Sequence, residues 1–286
     1  MRRTVRASTL RRVGAVVVAS VIVLSACSSA PVESPQAAGP GEFAGLVNVG
    51  GRSLYLECHG SGSPTVVLQS GYPNAADIWS MRVERPPSVM QGTAEFTRVC
   101  AYDRPGSALV STPDGLPTEQ PSPGRSDPAP MPRTAANVVA ELHALLSAAR
   151  VPGPYVLVGH SLGGPFTQLY ARTFPADVAG MVLLDPTPPA LRDLLPPALW
   201  EGFTKSIEEP GSPIPGYTVE AYDLDASMNQ IRDAPAPPRV PATILIAETL
   251  DRVPPGDPPP TPSPRSSAYA PRPTPASPRA SLARSW

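Results

Sequence analysis

The sequence predicts an α/β protein with a mostly parallel sheet and helices on both of its faces. Short β-prone runs alternate with amphipathic helical patterns along residues 43–252. One β-prone run, residues 155–158, leads straight into Gly-x-Ser-x-Gly at residues 159–163 and then into a helical pattern. Ligands in such sheets sit beyond the carboxyl ends of the strands, so this junction marks the candidate site.

The amino-terminal half of this region is predicted to consist mainly of strands. Two glycines separate the first two β-prone runs, which is typical of a hairpin. A short helix containing Trp79 follows the third run, and the polar, proline-rich residues 111–132 favour a surface excursion. The predicted strands are residues 46–49, 53–58, 65–69 and 96–102.

An amphipathic helix is predicted at the start of the carboxyl-terminal half, over residues 133–150. Strands follow at residues 155–158, 178–184 and 242–247, with residues 186–238 inserted between the last two. The large apolar residues of this insertion suit either a small cap over an acyl pocket or the core of a helical subdomain. They are Leu194, Leu195, Leu199, Trp200 and Phe203.

The first 26 residues have the pattern of an export signal. An arginine-rich start precedes an apolar run at residues 13–24 that is too short for a comfortable membrane span. The run ends in Leu-Ser-Ala-Cys, which resembles the bacterial lipobox, and this resemblance implies cleavage before Cys27 and lipidation of its thiol. The alternative is an ordinary signal peptide with a cysteine nearby by chance. Residues 27–42, rich in Ser, Pro, Ala and Gly, predict a disordered tether on the outer face of the membrane.

Net charge and cysteine content indicate which partners and which covalent cross-links to expect. A net charge of -1 gives no electrostatic reason to expect nucleic acid as a partner. Metal-ligand spacings and phosphate-binding loops do not stand out, so we infer no cofactor and no metal. Assigning Cys27 to the lipid leaves Cys58 and Cys100 of the three cysteines, and export predicts a disulfide between them rather than two buried thiols.

The residues around Ser161 predict a nucleophile elbow, in which a strained turn exposes a serine at the end of a strand. The competing interpretation is a tight strand-to-helix turn with an incidental serine. The chain also carries Ser-Gly-Tyr-Pro at residues 70–73, Tyr-Asp-Arg-Pro-Gly at residues 102–106 and Gly-Pro before the elbow strand. In this order, these motifs resemble the α/β-hydrolase fold family, over residues 43–251.

The resemblance implies a mechanism and a set of site residues. Ser161 is the nucleophile of ester, thioester or amide cleavage, and the backbone N–H groups of Leu162 and Tyr72 bind the oxyanion. The catalytic acid is Asp251, with Asp185 as the competing candidate; either carboxylate could instead cap a loop or helix. The fold also places the strands carrying Cys58 and Cys100 side by side.

The catalytic base is the missing part of this pattern. The family places a histidine after the acid, but the last of the three histidines is His160. His59 and His143 have unsuitable positions, and His160 directs its side chain away from Ser161. The proline-rich residues 253–286 stand where the last strand and helix are expected. We interpret them as a disordered tail, arising from a changed reading frame or as a natural extension of a pseudoenzyme.

The sequence therefore predicts an exported, membrane-tethered serine hydrolase that acts on carboxylic ester or related acyl substrates and is impaired by the lack of a histidine. The alternative function is that of a non-catalytic binding lipoprotein that keeps the cleft. A third outcome is a sheet that does not fold stably, because the missing strand leaves an exposed edge.

Overall fold

Within the part of the chain that the structure describes, the strands form one mixed sheet of seven and a separate hairpin of two. The computed structural model describes residues 41–82 and 87–247. The predicted signal peptide, Cys27, Asp251 and the tail at 253–286 lie outside the described residues, as does nearly all of the tether. The strands are β1 Phe43–Asn48, β2 Ser53–His59, β3 Thr65–Gln69, β4 Val99–Tyr102, β5 Ala108–Ser111, β6 Pro117–Pro123, β7 Tyr155–His160, β8 Val178–Leu184 and β9 Ala242–Leu245.

The large sheet has the strand order β1-β2-β4-β3-β7-β8-β9. β2 runs antiparallel to both β1 and β4, whereas the pairs from β4 through β9 are parallel. The predicted α/β class with a mostly parallel sheet is confirmed. All five residues of β3 are buried, as expected for a strand in the middle of a sheet covered on both faces.

Helices cover both faces because side chains alternate along the central strands. Val67 of β3 points into a large cluster with α2 and α3, while its neighbours Val66 and Leu68 join a second cluster with Trp79 and Met90. The helices are α1 Val89–Ala94, α2 Ala135–Ala148, α3 Gly163–Thr173, α4 Leu191–Leu194, α5 Pro197–Glu208 and α6 Leu224–Asp233, with 3-10 turns at Ala76–Trp79 and Pro175–Asp177.

The structure departs from the predicted elements in several places, since β1 begins at Phe43 rather than at residue 46 and β9 ends at Leu245 rather than at residue 247. The strand predicted from residue 96 begins at Val99, because Phe96 lies in the preceding turn with 75% of its surface exposed. The excursion predicted at residues 111–132 contains β6, which pairs antiparallel with β5 in the separate hairpin. A two-stranded hairpin tolerates the prolines of β6, since a strand paired on only one side does not need every backbone N–H.

The predicted disulfide is present. Cys58 of β2 and Cys100 of β4 are directly opposed in the antiparallel register and are joined through their sulfur atoms. Both residues are fully buried in the larger apolar cluster. The bond ties together two strands that are separated by 42 residues of chain.

The insertion at residues 186–238 contains α4, α5 and α6. α6 packs against α2 and α3, and its Met228 and Ile231 are buried in the larger apolar cluster. Of the apolar residues singled out from the sequence, Trp200 is buried there, Leu195 and Phe203 pack against it, and Leu194 and Leu199 are exposed. Among the helices of the described ranges, none has the length and apolar character that crossing a bilayer requires.

Candidate active site

Ser161 occupies a strained turn between β7 and α3. Its backbone φ is 50°, in the left-handed region that costs a non-glycine residue about 1–2 kcal/mol. Hydrogen bonds hold this conformation: the Ser161 N–H donates to Leu184 O at 3.1 Å, and its carbonyl accepts from Gly164 N at 3.0 Å and Thr187 N at 3.1 Å. This is the geometry predicted for a nucleophile elbow, in which the serine side chain stands out at the end of its strand.

Close backbone packing explains the small residues around the serine. A Cβ at Gly163 would lie 2.4 Å from Gln69 O, and one at Gly159 would lie 2.6 Å from Gly163 O. No side chain fits at such distances, so the two glycines of the sequence pattern are required by the turn. They bring the first turn of α3 against the carboxyl end of β3.

Residues 70–75, which we call the oxyanion loop, follow β3 and lie directly against the elbow. A Cβ at Gly71 would stand 3.0 Å from Ser161 Cβ and 2.8 Å from His160 Nδ1. Tyr72 directly follows Gly71 in this loop, and Leu162 directly follows Ser161, so both predicted oxyanion donors are chain neighbours of residues at the nucleophile. Neither backbone N–H has a hydrogen-bond acceptor among the described residues.

One side chain of the loop itself and two from neighbouring segments hold this loop in place. The Ser70 hydroxyl donates to Ala75 O at 3.0 Å and accepts from the Trp79 indole N–H at 2.9 Å. Asp103, which is fully buried at the end of β4, accepts from Ala76 N at 2.8 Å. The loop is therefore held at both of its ends.

Arg104 and Glu220 contribute to the site although no role was predicted for them. The Arg104 guanidinium donates to the carbonyls of Ser70 and Gly71 and pairs with Glu220. Arg104 belongs to the Tyr-Asp-Arg-Pro-Gly motif at the carboxyl end of a predicted strand, which is the sheet edge where Ser161 lies. This position is the sequence signal that could have identified Arg104 as a site residue. Glu220 precedes α6 in the inserted segment, and no local pattern marked it.

Of the two candidate acids, the structure describes Asp185. This residue directly follows β8 with a φ of 43°, and its N–H donates to Leu245 O at 2.7 Å. Because Ser161 N bonds to Leu184 O, Asp185 lies at the same sheet edge as the nucleophile, with its side chain exposed. Asp251 lies outside the described residues.

The three histidines occupy separate environments. His59 pairs with Val99 at the amino end of β4, the edge opposite Ser161, and contacts Glu42. His143 stacks on the Phe174 ring at 3.8 Å. Within the described ranges, none of them hydrogen-bonds to the Ser161 hydroxyl.

His160 is the histidine nearest to the nucleophile in the chain, and its ring packs edge-on against Trp79 with centroids 6.4 Å apart. Burial lowers the pKa of His160, and the nearby charge of Asp185 opposes that effect. The imidazole is therefore held in its neutral form more strongly than a free histidine.

Comparison with known proteins supports the same fold. A family sequence model described as "Alpha/beta hydrolase family" matches residues 58–283. An uncharacterized protein of Bacillus subtilis, YqjL, is 35% identical over 127 residues, covering 44% of this chain and 41% of that protein. An uncharacterized protein of Schizosaccharomyces pombe is 28% identical over 153 residues, covering 46% of this chain and 26% of that protein. The matches thus span less than half of these relatives.

Solved structures show a weaker likeness. Cfl2 from Burkholderia cenocepacia has a TM-score of 0.46 at 23% identity, covering 59% of this chain and 53% of that chain. A structure described as a putative lipase from Acinetobacter baumannii has a TM-score of 0.43 at 20% identity, covering 67% of this chain and 60% of that chain.

Proposed function

Because this chain belongs to the alpha/beta hydrolase family, we propose that it is a serine hydrolase acting on carboxylic ester or related acyl substrates. The observation that carries the proposal is the left-handed turn of Ser161 with the oxyanion loop packed against it. A serine at the elbow suits acyl transfer, in which its hydroxyl oxygen attacks the substrate carbonyl. We further propose that the protein is exported and tethered to the membrane through Cys27.

The proposed reaction uses the two free backbone amides. Attack by Ser161 Oγ, whose proton passes to solvent water in the absence of a histidine base, converts the carbonyl oxygen into an oxyanion, and the N–H groups of Tyr72 and Leu162 donate to it. Collapse of this intermediate breaks the ester C–O bond, and the leaving oxygen takes a proton from water and departs as the alcohol. Water then hydrolyses the remaining acyl-serine to the acid and free Ser161. Asp251 or Asp185 would orient a histidine base if one were present.

The lack of a suitable histidine sets the expected rate. All three histidines lie within the described residues, and their positions support an enzyme without its general base. Oxyanion stabilisation and substrate binding alone typically retain about 10³–10⁴-fold acceleration over water after a triad member is lost. We therefore expect slow acylation of Ser161 rather than rapid turnover.

A fluorophosphonate probe tests this proposal, because it phosphonylates a nucleophilic serine without needing a substrate. Full-length protein is incubated with the probe, and the adduct is located by peptide mapping. We expect slow labelling at Ser161 and none in Ser161→Ala, with folding of both proteins checked by circular dichroism. Absence of labelling in the folded wild type would overturn the proposal, as would labelling that persists in Ser161→Ala.

The second candidate function is a non-catalytic binding lipoprotein. The observation that favours it is the placement of His59 at the opposite sheet edge and of His143 against Phe174, which leaves Ser161 without a base in the described residues. Folded protein that binds a short acyl ester in calorimetry but is not labelled at Ser161 would support this function over catalysis.

A further inference from the structure

Arg104 is a buried cation next to the oxyanion loop. Its side chain is 1% exposed, and its partner Glu220 is 0% exposed. The pair is bidentate: Arg104 Nη2 donates to Glu220 Oε1 at 2.7 Å, and Nε donates to Oε2 at 2.9 Å. The Tyr222 hydroxyl donates to the same carboxylate at 2.7 Å.

The remaining donors of Arg104 bind the loop backbone. Nη1 donates to Ser70 O at 2.7 Å, and Nη2 donates to Gly71 O at 2.9 Å. One planar guanidinium thus holds two successive peptide carbonyls while its other edge is fixed by Glu220.

These two bonds determine the direction of the neighbouring N–H groups. The C=O and N–H of a trans peptide point in opposite directions, so anchoring Gly71 O turns the Tyr72 N–H away from Arg104. That N–H has no acceptor in the described part of the chain and belongs to the loop packed on Ser161.

We propose that Arg104, oriented by Glu220, is a positioning residue that fixes the oxyanion loop and thereby aims the Tyr72 N–H. The oxyanion role of that N–H rests on the proposed function of Ser161, whereas the positioning of the loop does not. A buried ion pair that served stability alone would not need to bind two adjacent carbonyls of a loop facing the nucleophile.

A lysine substitution separates positioning from charge. Arg104→Lys keeps a cation beside Glu220, but an ammonium cannot hold two carbonyls and both carboxylate oxygens in one plane. The matched control is Arg133→Lys, because Arg133 is also buried and pairs with the buried Glu141 yet binds no residue of the oxyanion loop in the described ranges.

The first readout is amide hydrogen exchange, which needs no catalytic activity. Peptides covering residues 70–76 should exchange at least about ten-fold faster in Arg104→Lys, since local opening then costs less free energy. Peptides from β7 should be unchanged, and Arg133→Lys should leave residues 70–76 protected. Unchanged exchange in Arg104→Lys, or equal acceleration in both variants, would overturn the proposal.

The second readout is the rate of fluorophosphonate labelling at Ser161. Misdirecting one oxyanion donor should slow labelling about 10- to 100-fold in Arg104→Lys, against less than about threefold in Arg133→Lys. If wild type is not labelled, the proposed function fails, and hydrogen exchange alone decides the role of Arg104. If Arg104→Lys does not fold, the charge-neutral pair Arg104→Met with Glu220→Leu replaces it in both measurements.

Discussion

At the scale of single residues, the left-handed conformation of Ser161 has a measurable cost. The strain persists because Leu184, Gly164 and Thr187 bond to the Ser161 backbone from three directions. Conformational strain is thus concentrated at the residue that presents the candidate nucleophile.

Comparing two substitutions at this position measures that strain. Ser161→Gly should be more stable than Ser161→Ala by about 1 kcal/mol, because glycine adopts a φ of 50° without a Cβ penalty. Both variants lack the hydroxyl, so its loss cancels in the comparison. Urea denaturation gives the two free energies of unfolding, and an alanine variant at least as stable as the glycine variant would contradict the prediction.

The lowered pKa of His160 predicts a dependence of stability on pH. When the pH falls below about 6.5, the ordinary pKa of histidine, residue 160 takes up a proton in the unfolded chain but resists protonation in the folded protein. The unfolded state then binds more protons, so this contribution to stability is present above pH 6.5 and is lost as the pH falls toward the folded pKa.

We therefore expect wild type to lose more unfolding free energy than His160→Gln between pH 7.5 and 5.5, measured by urea denaturation at each pH. All other ionisable groups are common to both proteins, so their contributions cancel in the difference. Equal losses in the two proteins would show that His160 does not titrate below its ordinary range.

At the scale of elements, the Cys58–Cys100 disulfide cross-links β2 and β4 on the antiparallel side of the sheet. The chain-entropy model assigns about 4 kcal/mol to a loop of this size. Since both half-cystines are fully buried, cavities left by their removal would add to that loss.

Replacing both cysteines by alanine should lower the free energy of unfolding by at least about 2–4 kcal/mol. Urea denaturation of wild type with and without a reductant provides a second measurement of the same bond. The double variant should be insensitive to the reductant. A wild type that is equally stable in both conditions would contradict a structural role for the disulfide.

The sequence was most informative where a local pattern reports burial. β3 and β8 match their predicted ranges because a strand between two covered faces is a continuous apolar run. β6 could not be predicted, since its polar, proline-rich sequence resembles a loop and only pairing with β5 makes it a strand. Gly159 and Gly163 could also be predicted from the sequence, because the tight turn leaves no room for a side chain at either position.

The pair of residues that anchors the oxyanion loop was much harder to predict, because its members are far apart in the sequence. Arg104 and Glu220 are 116 residues apart, so their pairing depends on the tertiary fold and leaves no periodic signal. A buried arginine and a surface arginine look alike in a sequence. Glu220 could be recognised only after α6 had been packed against α2 and α3.

At the scale of the whole molecule, the proposed lipid anchor determines where the hydrolase domain would work. Cys27→Ser should move the protein from the membrane fraction to the soluble fraction, because no acyl chain can be attached to the hydroxyl in place of the thiol. Detergent phase partitioning and mass spectrometry of the mature amino terminus measure this change. Membrane retention of Cys27→Ser would contradict the lipoprotein prediction and favour an uncleaved apolar signal.

The reading-frame hypothesis concerns the proline-rich residues 253–286, which follow β9 in the chain. β9 is the last strand in the order of the described sheet, and Leu245 at its end and Ile246 just beyond it are exposed. Resequencing the gene and translating the other frames after residue 251 tests the hypothesis. A frame that encodes a strand pattern and a histidine would support it, whereas stop codons in both frames would contradict it.

The buried pair of Arg104 and Glu220 also sets an order of assembly. The ribosome delivers residue 70 long before residue 220, so an emerging chain has the oxyanion loop without the carboxylate that orients its anchor. Until the inserted segment has folded back onto α2 and α3, Arg104 lacks its carboxylate partner and the loop lacks this anchor. On the proposed export route, the surroundings of Ser161 would therefore be complete only after residue 220 has been translocated.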